Sequence, residues 1–255
     1  MEDQAGAGLG PRNRIPEVRR QAVLDAAALL QIRRSELAAR LARGEPCEAQ
    51  VVARGIDGTN EWLRESVPTW GELLSVRPAS IVRQLQVSLP QDRAFRARGL
   101  RMVSVFAWDG HPPDARLLVA GEPPGCYRFG VGPVQMKIID RKGVLLQGPF
   151  VDDEPTLMTV TAADCLEAAW RYWHAALASS YPAEEEAVAG LPALTPRQGQ
   201  VVALLAQDSR DEAIAEVLGV SVRTIRADIA EIMNELGVRS RFAAGVRARG
   251  LVRDS

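Results

Sequence analysis

The stretch Ile214 to Leu236, "IAEVLGVSVRTIRADIAEIMNEL", decides how the C-terminal part of the chain is read. Gly219 stops one helical run, Ser221 can cap the next, and only a three-residue turn separates them. At about 100° of rotation per residue, Val222, Ile225, Ile229, Ile232 and Leu236 fall on one side of the second helix, which must then face other helices. The rest of that helix is divided lengthwise. Arg223, Arg226, Ala230 and Met233 share one flank, and Asp228, Glu231 and Glu235 share the other.

Working outward, "LTPRQGQVVALLAQ" (194–207) begins a helix with Thr195 as N-cap, Pro196 in the first helical position and Gln198 where a capping box places Glu or Gln. Val201, Leu204 and Leu205 form its buried side. "SRDEAIAEVLG" (209–219) repeats the device, with Ser209 as the cap and Glu212 three residues on. Gly237 ends the divided helix, and "SRFAAGVRARG" (240–250) gives a short fourth helix weakened by Gly245 in its interior. Two helices joined by a tight glycine-containing turn inside a compact four-helix unit form a helix-turn-helix arrangement.

Three blocks in order, "LTPRQGQVVALLAQ", "IAEVLGVSVRTIR" and "LGVRSRFAA", resemble the LuxR-type DNA-binding domain over Leu194 to about Val252. Gly199 departs from that pattern, standing where an acid is common, and "SRDEA" stands where an "SNKE"-like run is usual. The resemblance implies that Arg226, Ala227 and Ala230 read the groove of double-stranded DNA, with Arg223 and Thr224 near its backbone. Ser221 and Arg241 complete the expected DNA-facing set. Residues 194–255 hold nine arginines, no lysine and eight acids. Phosphate contacts supply much of the affinity for DNA, so a domain this weakly basic is expected to need a second copy or a partner regulator protein.

The remainder of the 255-residue chain has ordinary globular composition, 47 % apolar and 25 % charged, with a net charge of −1. No signal peptide or membrane-length apolar run is evident, and a cytoplasmic location without membrane association is expected. Three scattered cysteines (Cys47, Cys126, Cys165) suggest reduced, mostly buried thiols, and two histidines make a histidine metal site improbable. No metal or cofactor is expected.

Residues 1–14 are expected to be disordered. From Pro16 to Arg43 a helical pattern runs without a breaker until Gly44 and Pro46. Val23, Leu30 and Leu37 lie seven apart, so the stripe can pack on a partner copy or on its own domain; residues 15–46 are assigned to a long helix serving a homodimer. Over 47–180, short apolar runs ("AQVVAR", "GELLSV", "LRMVSVFAW", "CYRFGV", "VQMKIID", "GVLLQG", "TLMTVT") alternate with helical windows, which indicates an α/β layer domain. The last window, "AADCLEAAWRYWHAALASS", is a helix with Leu166, Trp170, Trp173 and Leu177 along one side. Residues 181–193 have linker composition, and 194–255 form the all-α domain.

"GPVQMKIIDRKGVLL" is similar to the strand that carries the His-x-Lys-x4-Asp signature of phospholipase D. With Asp140 in the Asp position, Gln135 stands for lysine and Pro133 for histidine, and the shifted frame through Lys137 fails equally, so neither register retains the nucleophile. With "VVARGIDGTNEWLRES" and "RARGLRMVSVF", the stretch resembles the degenerate phospholipase D-like domain that follows a TrmB-like segment in some bacterial regulators ending in a LuxR-type domain. That resemblance implies a non-catalytic fold used for sensing or dimerisation, with Arg101, Trp108, Gln135 and Asp140 around a pocket for a small-molecule effector. A phosphoacceptor receiver does not fit the opening helix, and no phosphate-cradling glycine motif is present. The chain is thus expected to be a transcription regulator and not an enzyme. A helical adaptor that binds a partner without DNA, and a phosphodiesterase-like enzyme, are the alternatives.

Overall fold

The computed structural model describes residues 15–186 and 194–253; the expected disorder of 1–14 lies outside them. The chain opens with helix α1 (Glu17–Ala42), then β1 (Ala49–Arg54), α2 (Gly55–Ser66), β2 (Glu72–Arg77), α3 (Val82–Ala97), β3 (Arg101–Ala107) and α4 (Pro113–Ala120). Four strands follow, β4 (Tyr127–Gly130), β5 (Met136–Ile139), β6 (Gly143–Gln147) and β7 (Thr156–Val160), then α5 (Ala163–Ala178) and the short β8 (Tyr181–Pro182). Helices α6 (Pro196–Leu205), α7 (Asp211–Leu218), α8 (Val222–Glu235) and α9 (Arg241–Arg253) complete the chain. No helix among the described residues is long and apolar enough to cross a membrane.

The eight strands among the described residues form one mixed sheet in the order β1-β7-β6-β5-β2-β3-β4-β8. Strands β2, β3 and β4 are parallel and joined by crossover helices, whereas β5, β6 and β7 form an antiparallel meander. Alternation along the strands sends Leu74, Val76, Val105, Met136, Ile138, Leu146 and Met158 into one apolar core with α1 and α5. Leu73, Met102, Phe106, Tyr127 and Phe129 enter a second core with α3 and α4.

The α1 stripe is consumed within the chain. Val23, Ala27, Leu30 and Leu37 are all buried in the core shared with α5 and the sheet. Arg34, which interrupts the stripe, donates to the Gln147 carbonyl at 3.2 Å. The seam assigned to a homodimer is therefore the helix's attachment to its own domain. On α5 the buried side is rotated toward small residues, Ala168, Ala169 and Ala176 with Tyr172, because the neighbouring α1 approaches closely; Leu166, Trp170 and Leu177 are only half-buried.

Helix α3 continues through Pro90 to Ala97, although proline has no N–H for the helix ladder; buried Leu85 and Leu89 hold it in place. Two other expectations are corrected. The expected linker at 181–193 begins later, because Tyr181 and Pro182 pair with β4 and Glu186 accepts from Tyr181 and Trp108 at 2.6 and 2.9 Å. Residues 187–193 lie outside the description. Ser209 does not cap α7: Arg210 holds the N-cap position, and the Ser209 hydroxyl instead accepts from Gln86 at 3.3 Å.

The helical unit α6–α9 is docked on α3 and α4, and one apolar core runs through both. Gln198 to Leu205 of α6 are all buried. Gln200 donates to the Leu118 carbonyl at 2.8 Å and to Glu122 at 3.3 Å. Arg93 of α3 caps the end of α7 by donating to Leu218 O at 3.1 Å and to Val217 O. A side chain at Gly199 would meet Leu117 Cδ2 at 3.1 Å, so α4 accounts for glycine at this position, where the resemblance expected an acid.

Candidate nucleic-acid interface

The capping chemistry of the helix pair is formed as the sequence suggests. Thr195 Oγ1 accepts from Gln198 N at 3.3 Å, and Gln198 Oε1 accepts from Thr195 N at 2.9 Å. Gly219 takes the left-handed conformation (φ +67°) that ends α7, and Ser221 Oγ accepts from Thr224 N at 3.1 Å to start α8. A Cβ at Gly245 would lie 3.3 Å from the Leu205 carbonyl, so glycine there lets α9 approach α6 closely.

Helix α8 buries Ile225, Ile229 and Ile232, the side identified from rotation. Arg223, Arg226, Ala227 and Ala230 are exposed, Thr224 is half-buried beside its cap, and the docked α/β domain leaves this flank open. Ala227 and Ala230 lack bulk, so a groove edge can approach the helix backbone between the two arginines.

The charges differ from a simple lengthwise division. Asp228 is 3 % exposed and accepts two hydrogen bonds from Arg197 of α6, at 2.8 and 3.0 Å. These bonds and the Asp228 charge hold the Arg197 guanidinium above its ordinary value. Asp228 is thus a clamp between α6 and α8 and not part of a solvent-facing acidic flank. Glu231 accepts from Gln198 at 2.7 Å and belongs to the same seam, while Glu235 remains exposed.

Arg226 and Arg241 share one acid. Arg226 Nε lies 3.2 Å from Asp211 Oδ2, and Arg241 Nη1 lies 2.5 Å from Asp211 Oδ1 while another of its nitrogens reaches the Ser209 carbonyl. Glu212 approaches Arg226 at 3.8 Å. Among the described residues nothing pairs with Arg223. Sequence reading missed Asp211 as an arginine holder. Its signal was the unusual "SRDEA" run, but the partner lies 15 positions away, beyond local pattern.

The four residues expected around an effector pocket do not converge. Arg101 and Asp140 sit at the Glu72 end of β2, where Glu72 lies 3.9 Å from Arg101 and Asp140 Oδ1 accepts from the backbone N–H of Gly71 and Glu72 at 2.9 and 2.8 Å. Gln135 precedes β5 at the opposite end of the sheet. Trp108 donates to Glu186 and lies under the Arg116 guanidinium, 3.9 Å from the ring centre.

Two packed helices joined by a tight turn at left-handed Gly219, the second exposed and arginine-bearing, define a helix-turn-helix module. Residues 192–248 match the family described as bacterial regulatory proteins, luxR family, so the chain carries a C-terminal domain of that family. Over 55 residues it is 44 % identical to the bialaphos biosynthetic pathway regulatory protein of Streptomyces hygroscopicus. That stretch covers 22 % of this chain and 22 % of that relative.

Proposed function

We propose that the chain is a transcription regulator that inserts α8 into the major groove of double-stranded DNA. The observation that carries this reading is the open flank of α8, on which Arg223, Arg226, Ala227 and Ala230 are uncovered while Ile225, Asp228, Ile229 and Ile232 pack inward. Arg226 reads a base edge, for which an arginine can make two parallel hydrogen bonds to guanine worth about 1–3 kcal/mol of discrimination. Arg223, Thr224, Ser221 and Arg241 contact the phosphate backbone. The weak positive balance of residues 194–255 makes a second copy on the operator part of the reading, through a surface other than the buried α1 stripe.

The α/β domain acts as a non-catalytic, phospholipase D-like sensing unit. Asp140, the one signature position kept in the first register, is satisfied by two backbone N–H groups, which supports a structural role for it. Because α6 is buried both by its own module and by α4, a change in the α/β domain alters the footing of the reader. One observation favours the adaptor alternative: Asp211 already holds two of the proposed DNA-facing arginines.

Selection of duplexes from a random pool distinguishes the two. The regulator reading expects the full chain to enrich a defined motif and Ala230→Glu, which puts an acid in the groove, to abolish enrichment. Recovery of unselected duplexes by both proteins would favour the adaptor.

A further inference from the structure

A furrow of about 290 Å³ opens between α2 and the sheet face away from α1 and α5. Its floor follows from strand register. Lys137 on β5 lies opposite Leu145 on β6, and Gln147 opposite Leu157 on β7, so these side chains stand on one face. Gly55, Ile56, Thr59 and Asn60 of α2 line the other side. Helix α2, the wall of the furrow, has no buried residue.

The charge balance in this furrow is unmatched. Among the described residues none hydrogen-bonds or ion-pairs with the Lys137 ammonium. The nearby ion pair is internally neutral, since Arg77 meets Asp92 at 3.1 Å and Asp92 also accepts from Tyr127 at 3.2 Å. Burial, and secondarily Arg77, pushes the Lys137 ammonium down to about 8, against a smaller pull from Asp92. Residues 137 and 142 are the only lysines in a chain with 31 Lys and Arg residues. The larger cleft between α1 and α5 offers no such vacancy, because Arg33 is met by Glu36 and Asp164, and Arg40 by Glu45.

We propose that this furrow binds a small organic carboxylate whose charge meets the Lys137 ammonium and whose apolar body lies against Leu145 and Leu157. The volume fits a molecule at the small end of ligand sites, of roughly 300 Å³. The amides of Gln135 and Asn60 line the furrow, with no hydrogen-bond partner among the described residues, and can orient it. Glu154, close to Gly55 at the α2 end, turns an anion away from that rim and toward the lysine. This inference rests on the reading of the α/β domain as a sensing unit.

The test follows the two lysine side-chain signals of the full chain labelled with carbon-13 lysine, through a pH titration with and without benzoate. Benzoate should raise the Lys137 midpoint by about one pH unit, as expected for an opposite charge placed beside it, and leave Lys142 in place. Lys137→Met should remove benzoate binding measured by calorimetry, and Lys142→Gln should keep it; if Lys137→Met does not fold, the wild-type titration decides. A Lys137 signal unmoved by millimolar benzoate, a response to inorganic phosphate alone, or full benzoate binding by folded Lys137→Met would overturn the proposal. Duplex binding measured without benzoate reports separately on the regulator reading. A benzoate response in a chain that binds no DNA would sink that reading and leave the carboxylate site standing.

Discussion

The Arg226 guanidinium donates to Asp211 Oδ2 at 3.2 Å, while Arg241 holds the other oxygen of the same carboxylate at 2.5 Å. An arginine proposed to read a base is therefore already engaged, and binding DNA exchanges this carboxylate for a base edge or phosphate. Asp211→Asn should raise affinity for any duplex several-fold at low ionic strength, with the gain fading as salt screens the charge. It should also lower the melting temperature, since an acid in the first turn of α7 favours the helix by about 0.3–1 kcal/mol. Fluorescence anisotropy at several salt concentrations, paired with thermal melts, checks both effects.

Asp228 behaves differently from Asp211 despite lying on the proposed reading helix. Its two bonds from Arg197 tie α8 to α6. Asp228→Asn should cost about 1–3 kcal/mol of stability and leave DNA affinity unimproved in protein that remains folded. Glu235→Gln removes an exposed acid and should strengthen binding slightly at low salt. Equal gains in affinity from the two substitutions would show that Asp228 faces DNA after all.

Gly199 reports on the docked arrangement. Gly199→Glu would drive a carboxylate against Leu117, and such overpacking costs typically about 1–3 kcal/mol. The expected result is release of α6–α9 from α4 with helical content retained, read as a larger radius of gyration in small-angle scattering. An unchanged radius would mean that α6 does not depend on this contact.

Burial pushes the Glu122 carboxyl above its ordinary 4.5, against Arg93 and the Gln200 hydrogen bond. The folded form holds the proton more tightly than the unfolded chain. Its contribution to stability is thus full below about 4.5 and is lost as pH rises through the folded value. Glu122→Gln should abolish that decline, so that its stability relative to wild type improves as pH rises above 4.5 and then levels off. Arg93 keeps its bonds to the Val217 and Leu218 carbonyls in this variant. Denaturant melts of both proteins below and above the ordinary carboxyl value check the sign.

Local signals carried well from sequence to structure. The Thr195–Gln198 box, the Ser221 cap and the left-handed Gly219 depend on neighbours within a few positions, and each was readable in place. Short apolar runs such as "GELLSV" and "LRMVSVFAW" became β2 and β3 for the same reason. What escaped was set by distant partners. Leu30 looked free to pair with a second chain until α5 covered it, and Ser209 looked like a cap until Gln86 and Arg241 engaged it. Asp228 looked solvated because Arg197 lies 31 positions away. The burial of α6 on all sides required α4, which no periodicity within α6 encodes.

The central claim is that the open flank of α8 reads DNA, and a salt titration of Arg226→Ala and Arg223→Ala on a selected duplex and on random duplex tests it most directly. The account predicts that Arg226→Ala loses preference for the selected duplex by roughly tenfold, as one bidentate base contact implies, while Arg223→Ala weakens both duplexes alike and reduces the salt slope by about one phosphate contact. Undiminished binding and unchanged preference in both variants would contradict it.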